Sequence, residues 1–174
     1  IYTRSGIKTR RIADKDAAVS DLSKIACERA MDMAGLKADD IDLIILATIT
    51  PDTHCPAGSN WLEAKLGCTK AVSFDITAAC SGFIFALHVA DKMIKSGANK
   101  TALVIGAEIM TRVINWKERE SCVLWGDGAG AAVVTASDSG AQVLSTHVHT
   151  DGKNGDTLLM PGGGSKTTPI SHES

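Results

Sequence analysis

Stretches with apolar residues at helical spacing alternate along the chain with short, continuous apolar runs. The helical spacing predicts helices, and a glycine follows the end of each one. The predicted helices cover residues 20–34, 56–66 and 79–96. The apolar runs are rich in β-branched residues, which is typical of strands buried on both faces of a parallel sheet. The predicted strands cover residues 41–49, 71–76 and 101–107.

The chain after residue 120 is predicted to contain strands without helices. These strands are expected over residues 121–125, 131–135 and 142–149, with a glycine turn over 126–130. The preceding order α-β-α-β-α-β, with short connections, implies right-handed crossovers. We therefore expect an α/β fold with a mostly parallel sheet and helices packed on it.

Composition and charge narrow the class of protein. The chain has 174 residues, 44% of them hydrophobic and 22% charged, as in a soluble globular domain. A net charge of −2 opposes general nucleic-acid binding, and no apolar run is long enough for a transmembrane helix. The five cysteines form no CxxC pair, so neither a zinc site nor a disulfide framework is expected. We therefore expect free thiols, a cytoplasmic location, and no nucleic-acid or membrane partner.

One cysteine stands where chemistry is expected. In Asp-Ile-Thr-Ala-Ala-Cys-Ser-Gly-Phe, residues 75–83, a predicted strand ends and Cys80 opens a long helix. Backbone N–H groups and the helix dipole at that end favour a thiolate, and they can stabilise an oxyanion when the sulfur attacks a thioester. Gly82 removes a side chain beside the nucleophile and leaves room for substrate. The alternative is that Cys80 is a small buried hydrophobe, as most buried cysteines are.

No partner for this thiol is evident in the sequence. His88 lies eight residues later on the same predicted helix, about 12 Å along its axis, so its imidazole cannot reach Cys80. The other histidines show no pattern that places them at the thiol: His54, His147, His149 and His172. No set of histidines and cysteines has the spacing of metal ligands, so we expect no metal site.

Four segments carry motifs that occur together in one enzyme family. Residues 74–83 read Phe-Asp-Ile-Thr-Ala-Ala-Cys-Ser-Gly-Phe, and residues 125–131 read Trp-Gly-Asp-Gly-Ala-Gly-Ala. Residues 3–7 read Thr-Arg-Ser-Gly-Ile, and residues 46–51 read Leu-Ala-Thr-Ile-Thr-Pro. Taken in their order along the chain, these segments resemble those of the β-ketoacyl-acyl carrier protein synthase III family of thiolase-like condensing enzymes. The resemblance extends from residue 1 to about residue 160.

The resemblance implies an architecture larger than this chain. The family fold has two similar α/β halves in five layers, αβαβα, and is usually a homodimer. Residues 1–160 resemble the N-terminal half without its first strand, and residues 161–174 are expected to be a flexible loop leading to an absent C-terminal half. The chain has no initiator methionine and ends in a polar stretch, so we expect a piece of a longer protein.

The resemblance also implies a reaction. Cys80 would take an acyl group, often acetyl, from acyl-CoA. Malonyl-acyl carrier protein would then decarboxylate, and its carbanion would attack the acyl-cysteine to give a β-ketoacyl-carrier protein. The histidine and asparagine that assist in the family lie in its second half and have no counterpart here. The CoA thioester is a substrate in this scheme, and no cofactor is expected.

Four further residues match positions that contact substrate in the family. Arg4 and Arg119 match the basic residues that contact CoA, and guanidinium groups suit adenine stacking and phosphate pairing. Cys55 stands where the family often has a phenylalanine that lines the primer pocket of the neighbouring subunit. Trp125 replaces a common phenylalanine. Cys55 is smaller than the phenylalanine it replaces and Trp125 is larger, so both exchanges are expected to affect the length and branching of the primer that fits.

Three other functions are compatible with the sequence. A related condensing enzyme of polyketide or quinolone type would use the same cysteine with another substrate. A non-catalytic α/β dimerisation module would explain the missing histidine and asparagine. A thiol redox protein is the third alternative, although no CxxC partner is present to resolve a disulfide.

Overall fold

The computed structural model describes residues 1–167. Residues 168–174, which include His172 and half of the predicted terminal loop, lie outside the described part. The helices are α1 (Tyr2–Ser5), α2 (Val19–Ala34), α3 (Gly58–Leu66), α4 (Gly82–Lys95) and α5 (Arg119–Cys122). The strands are β1 (Leu43–Ala47), β2 (Val72–Ile76), β3 (Thr101–Ile109) and β4 (Asp127–Thr135). Short 3₁₀ turns occupy Ala38–Asp40, Ala79–Ser81, Met110–Arg112 and Gly152–Thr157.

The strands form one mixed sheet in the order β2-β1-β3-β4. β1 pairs in parallel with β2 and β3, and β4 runs antiparallel to β3. The three parallel strands alternate with helices in the chain, so each connection crosses over a face of the sheet. The mostly parallel α/β sheet predicted from the hydrophobic pattern is therefore confirmed.

Helices cover both faces of this sheet. On one face, α2 and α3 pack against alternate residues of the central strands, including Ile44, Leu46 and Leu103. On the other face, α4 packs against the intervening residues, including Ile45 and Val104. Every residue of β1 is buried, which explains its continuous apolar sequence. The result is a three-layer αβα arrangement with the core on either side of β1 and β3.

The predictions for the region after residue 120 are mostly wrong. The predicted strand at 121–125 overlaps the short helix α5, and the glycine turn at 126–130 is the beginning of β4. Gly128 and Gly130 lie in the ladder opposite Glu108 and Gly106, because a strand of small residues can pair along its whole length. Within residues 1–167 the segment 142–149 forms no strand. It passes over α4, where Thr146 contacts His88.

The predicted starts of all three helices are also displaced, and α4 begins at Gly82 rather than at residue 79. α2 begins at Val19, one residue before its predicted start at Ser20, and Asp21 accepts a hydrogen bond from the Ala18 amide at 2.8 Å. Ser20 is fully buried and instead bonds to Asp52. α3 begins at Gly58, two residues after the proline predicted to open it. The ends are as predicted, since Gly35 and Gly67 adopt left-handed φ angles of 67° and 73°.

The first turn of α4 lies unusually close to β1. A Cβ atom at Gly82 would come within 2.9 Å of the Cβ of Ala47, the last residue of β1. The next residue of α4, Phe83, packs over Gly106 of β3. The expectation that Gly82 makes room for substrate is thus corrected: its hydrogen faces the sheet and permits close helix–strand packing.

No helix within residues 1–167 combines the length and the apolar character that a membrane crossing requires.

The Gly82–Ala47 contact predicts a non-additive double mutant. Gly82→Ala should destabilise the protein by about 1–3 kcal/mol, because the added methyl overlaps a fixed Cβ. Ala47→Gly alone should cost about 1 kcal/mol through backbone entropy and lost packing. In the double variant the overlap disappears, so its loss of stability should be smaller than the sum of the single losses. Urea unfolding of the four proteins measures this coupling, and strictly additive losses would contradict the contact.

Candidate active site

The candidate residues belong to segments that meet at one edge of the sheet. β1, β2 and β3 are parallel, so their carboxyl ends share this edge, and antiparallel β4 begins there. Cys80 follows β2, and Cys55 lies in the loop between β1 and α3. Arg119 and Trp125 lie in the segment that connects β3 to β4. The carboxyl edge of an open parallel sheet is the usual position of ligand sites in α/β proteins.

Cys80 lies in a tight turn just before α4. It is the middle residue of the 3₁₀ turn Ala79–Ser81, whose Ser81 amide donates to the Ala78 carbonyl at 3.1 Å. Ala79 has a φ of 45°, in the left-handed region that residues with a Cβ rarely adopt. Such backbone strain next to a candidate nucleophile is common at functional sites. The turn makes Cys80 precede the helix by two residues, whereas the sequence predicted that it opens the helix.

Exposure separates the cysteines into two groups. Cys80 and Cys55 are exposed, and the other three thiols are buried. Burial raises the pKa of Cys27 to about 12 and the pKa of Cys68 to about 11, because a thiolate is poorly solvated there. The alternative that Cys80 is a small buried hydrophobe is therefore wrong. The three buried cysteines, Cys27, Cys68 and Cys122, belong to the apolar core.

The N-terminal segment before α2 is hydrogen-bonded to the chain around the start of β4. The Arg10 guanidinium donates to the Val123 carbonyl, and the Asp127 amide donates to the Arg11 carbonyl at 2.9 Å. A Cβ atom at Gly126 would lie 3.3 Å from the Arg11 carbonyl oxygen, so the two backbones touch. Arg4 lies in α1, the exposed first turn of this segment.

The two arginines proposed to contact CoA are both exposed. Arg119 is the first residue of α5, and Arg4 belongs to a separate helix at the other end of the described chain. Trp125 is half-buried just before β4. The structure therefore leaves both guanidinium groups available to an anionic ligand, and it partly covers the indole.

Asp127, the first residue of β4, is a structural carboxylate that the sequence pattern did not single out. Its carboxylate accepts hydrogen bonds from the Ala13 amide at 2.8 Å, the Thr111 amide at 2.9 Å and the Thr111 hydroxyl at 2.6 Å. It thus joins the N-terminal segment, the end of β3 and the start of β4. The sequence feature that could have indicated its role is a single carboxylate in a run of small and apolar residues. A carboxylate in such surroundings needs several hydrogen-bond donors.

Among the hydrogen bonds of residues 1–167, none joins a histidine to Cys80. His88 is on α4, and its Nδ1 lies 2.5 Å from the Thr146 hydroxyl oxygen. His147 is near the Ser145 hydroxyl, in a segment with no strand structure. Within the described part of the chain, no three His, Cys, Asp or Glu residues are grouped so that they could hold a metal ion.

Comparison with known proteins gives the same family for sequence and for fold. Residues 74–152 match the family model for 3-oxoacyl-[acyl-carrier-protein (ACP)] synthase III. A β-ketoacyl-[acyl-carrier-protein] synthase III of Caldanaerobacter subterraneus subsp. tengcongensis is 49% identical over 173 residues, which are 99% of this chain and 52% of that protein. The chain spans about half the length of the curated relatives it matches.

Two solved structures resemble the model closely. The 3-oxoacyl-[acyl-carrier-protein] synthase III of Aquifex aeolicus VF5 aligns with a TM-score of 0.77 and 47% identity, over 80% of this chain and 45% of that chain. The priming β-ketosynthase from the R1128 polyketide pathway aligns with a TM-score of 0.76 and 42% identity, over 79% of this chain and 41% of that chain. By sequence and by its thiolase-like fold, the chain belongs to the β-ketoacyl-[acyl-carrier-protein] synthase III family and corresponds to the N-terminal half of the relatives it matches.

Proposed function

We propose that the protein is an acyltransferase that begins type II fatty-acid synthesis. It would condense an acyl-CoA primer, most simply acetyl-CoA, with malonyl-acyl carrier protein. The observation that supports this most directly is the exposed Cys80, held in a strained turn at the carboxyl edge of the sheet in a family of condensing enzymes. The CoA thioester is a substrate, and the proposal requires no cofactor.

The proposed chemistry has two half-reactions at one sulfur. The Cys80 thiolate attacks the acyl-CoA carbonyl, and the tetrahedral intermediate collapses to acyl-cysteine while CoA leaves as a thiol after taking a proton. Malonyl-acyl carrier protein then loses CO₂, and the resulting carbanion attacks the acyl-cysteine carbonyl. A carbon–carbon bond forms, the carbon–sulfur bond breaks, and Cys80 returns as a thiolate. The backbone N–H of Cys80, in the turn just before α4, would be one of the donors that stabilise the oxyanion.

The remaining assignments concern substrate contacts and assembly. Arg4 and Arg119 are proposed to bind the anionic CoA, since both are exposed cations. Cys55 and Trp125 are proposed to line the acyl-primer pocket, with Cys55 serving a neighbouring subunit. This arrangement includes a homodimer that acts in the cytoplasm with the acyl carrier protein as partner.

A polyketide starter enzyme is the second candidate function. It is favoured by the 42% identity to the R1128 priming β-ketosynthase, which shares the fold. Such an enzyme would form the same acyl-cysteine and differ in primer and carrier protein. Assaying condensation with a fatty-acid carrier protein and with a polyketide carrier protein, in parallel, distinguishes the two.

The first prediction concerns the cysteine itself. Cys80→Ala in the full-length protein should abolish formation of β-ketoacyl-carrier protein, because no other sulfur can carry the acyl group at this site. Cys68→Ala, which removes a thiol buried in the core outside the proposed site, is the control and should retain condensation. Radiolabelled malonyl-acyl carrier protein measures the product. Condensation that survives Cys80→Ala would refute the proposed nucleophile.

A second prediction follows from the unequal burial of the thiols. At about pH 8, well below the raised pKa values of Cys68 and Cys27, both of these thiols would remain almost entirely protonated. Iodoacetamide should therefore modify Cys80 and Cys55 first, with the buried thiols reacting only after unfolding. Peptide mass spectrometry over a time course checks this order. Even labelling of all five cysteines in the folded protein would contradict it.

A third prediction tests the CoA contact. Arg119→Ala should weaken CoA binding about fivefold, the size of effect expected for one exposed charge pair. Arg29→Ala is the control, since Arg29 is also exposed but lies on α2. Isothermal titration calorimetry gives both dissociation constants. Equal constants for the two variants would remove Arg119 from the binding site.

A further inference from the structure

The loop that carries Cys55 is held at both ends by carboxylates. This loop, residues 48–57, connects β1 to α3 at the carboxyl edge of the sheet. β1 lies between β2 and β3, and each of these two neighbours contributes one acidic side chain to the loop. Glu108 on β3 holds its beginning, and Asp75 on β2 holds its end.

Glu108 fixes the first three residues of the loop. Its carboxylate accepts hydrogen bonds from the Ile49 amide at 2.8 Å, the Thr50 hydroxyl at 2.5 Å and the Thr48 hydroxyl at 3.2 Å. The Thr50 hydroxyl in turn accepts from the Ile109 amide at 2.9 Å. The chain leaving β1 is therefore bonded directly to the end of β3.

Asp75 fixes the other end, where the loop enters α3. One of its oxygens accepts from the Gly58 amide and the other from the Ser59 amide, both at 2.8 Å. A carboxylate at a helix N-terminus is also favoured by the helix dipole. A Cβ at Gly58 would lie 3.1 Å from the Leu46 side chain and 3.3 Å from Asp75, so the glycine permits this close approach. Asp75 precedes Cys80 by five residues in the same strand-and-turn segment.

We propose that Asp75 and Glu108 are positioning residues for primer selection: by fixing both ends of loop 48–57, they set the position of Cys55 in the primer pocket of the neighbouring subunit. The inference rests on the proposed function, in which this loop lines the acyl-primer pocket. A pocket wall discriminates between acyl chains that differ by a methylene only while it is held in place. Loosening either end of the loop therefore relaxes the preference for chain length.

Asp75→Asn is the sharper of the two tests. Both hydrogen-bond donors to Asp75 are backbone N–H groups, which cannot reverse to accept. The amide nitrogen of asparagine must therefore face one of these donors, so one hydrogen bond is lost. Glu108→Gln has a milder effect, because the Thr48 hydroxyl can rotate and accept a hydrogen bond from the new amide.

The chain contains a closely matched control at the opposite edge of the sheet. Asp42, just before β1, accepts hydrogen bonds from the Lys100 amide at 2.8 Å and the Thr101 amide at 3.0 Å. Asp42→Asn thus removes the same kind of hydrogen bond at the amino end of β1, the strand that leads into loop 48–57. It should cost similar stability while leaving loop 48–57 in place.

The experiment compares acyl-CoA primers in the full-length protein. We measure kcat/KM for straight-chain acyl-CoAs and take the ratio between the preferred primer and the primer two methylenes longer. Asp75→Asn should lower this ratio about tenfold, and Glu108→Gln about threefold. Asp42→Asn should leave the ratio unchanged at a similar loss of melting temperature. If Asp75→Asn fails to fold, the primer ratio of Glu108→Gln is compared with that of Asp42→Asn instead.

Two results would overturn the inference. One is an unchanged primer ratio in Asp75→Asn or, where that variant does not fold, in Glu108→Gln. The other is an equal change in Asp42→Asn, which would indicate a general effect of stability. Failure of the proposed function would be visible before any variant is compared, as wild-type protein that transfers no acyl group from any primer, and it would remove both proposals together.

Discussion

The close contact between Gly82 of α4 and Ala47 of β1 determines where the candidate nucleophile lies. The helix can approach the strand because Gly82 has no side chain, and a Cβ there would be 2.9 Å from that of Ala47. The chain must then pass from the end of β2 to the start of α4 in the few residues 77–81. It does so through a turn with Ala79 at positive φ, which leaves Cys80 exposed beyond the sheet. The close packing of α4 on β1 and the exposure of Cys80 are thus connected through the short turn 77–81.

The sequence predicts the central part of the fold well because its signals are strong there. β1 and β3 are continuous apolar runs, and they are buried against helices on both sides. Glycines that end α2 and α3 adopt the left-handed conformation expected of them. After residue 120 the signals are weak. Gly128 and Gly130 look like a turn, and only their pairing with β3 makes them a strand. Segment 142–149 contains the β-branched residues Val143, Thr146 and Val148, which are common in strands, but it has no paired neighbour within residues 1–167.

The sequence indicates the candidate nucleophile, but it gives little indication of the side chains that hold the surrounding segments in place. Cys80 follows from its place between a strand and a helix, and the motifs around it indicate the family. Its exposure depends on the turn geometry at Ala79, for which alanine gives no signal. The carboxylates that join segments, Asp75, Glu108 and Asp127, bond to backbone amides far away in sequence. Such pairings follow from the register of the sheet, which the sequence alone does not specify.

Direct mapping of the acyl group tests the central claim, that Cys80 is the sulfur presented for transfer. The full-length protein is incubated with acetyl-CoA without malonyl-acyl carrier protein, so that the acyl-enzyme cannot proceed. The modified residue is then located by peptide mass spectrometry under acidic conditions that preserve thioesters. The account predicts one acetyl group per chain, on the peptide containing Cys80. An acetyl group on Cys55 or on a buried cysteine, or no acetylation at all, would contradict it.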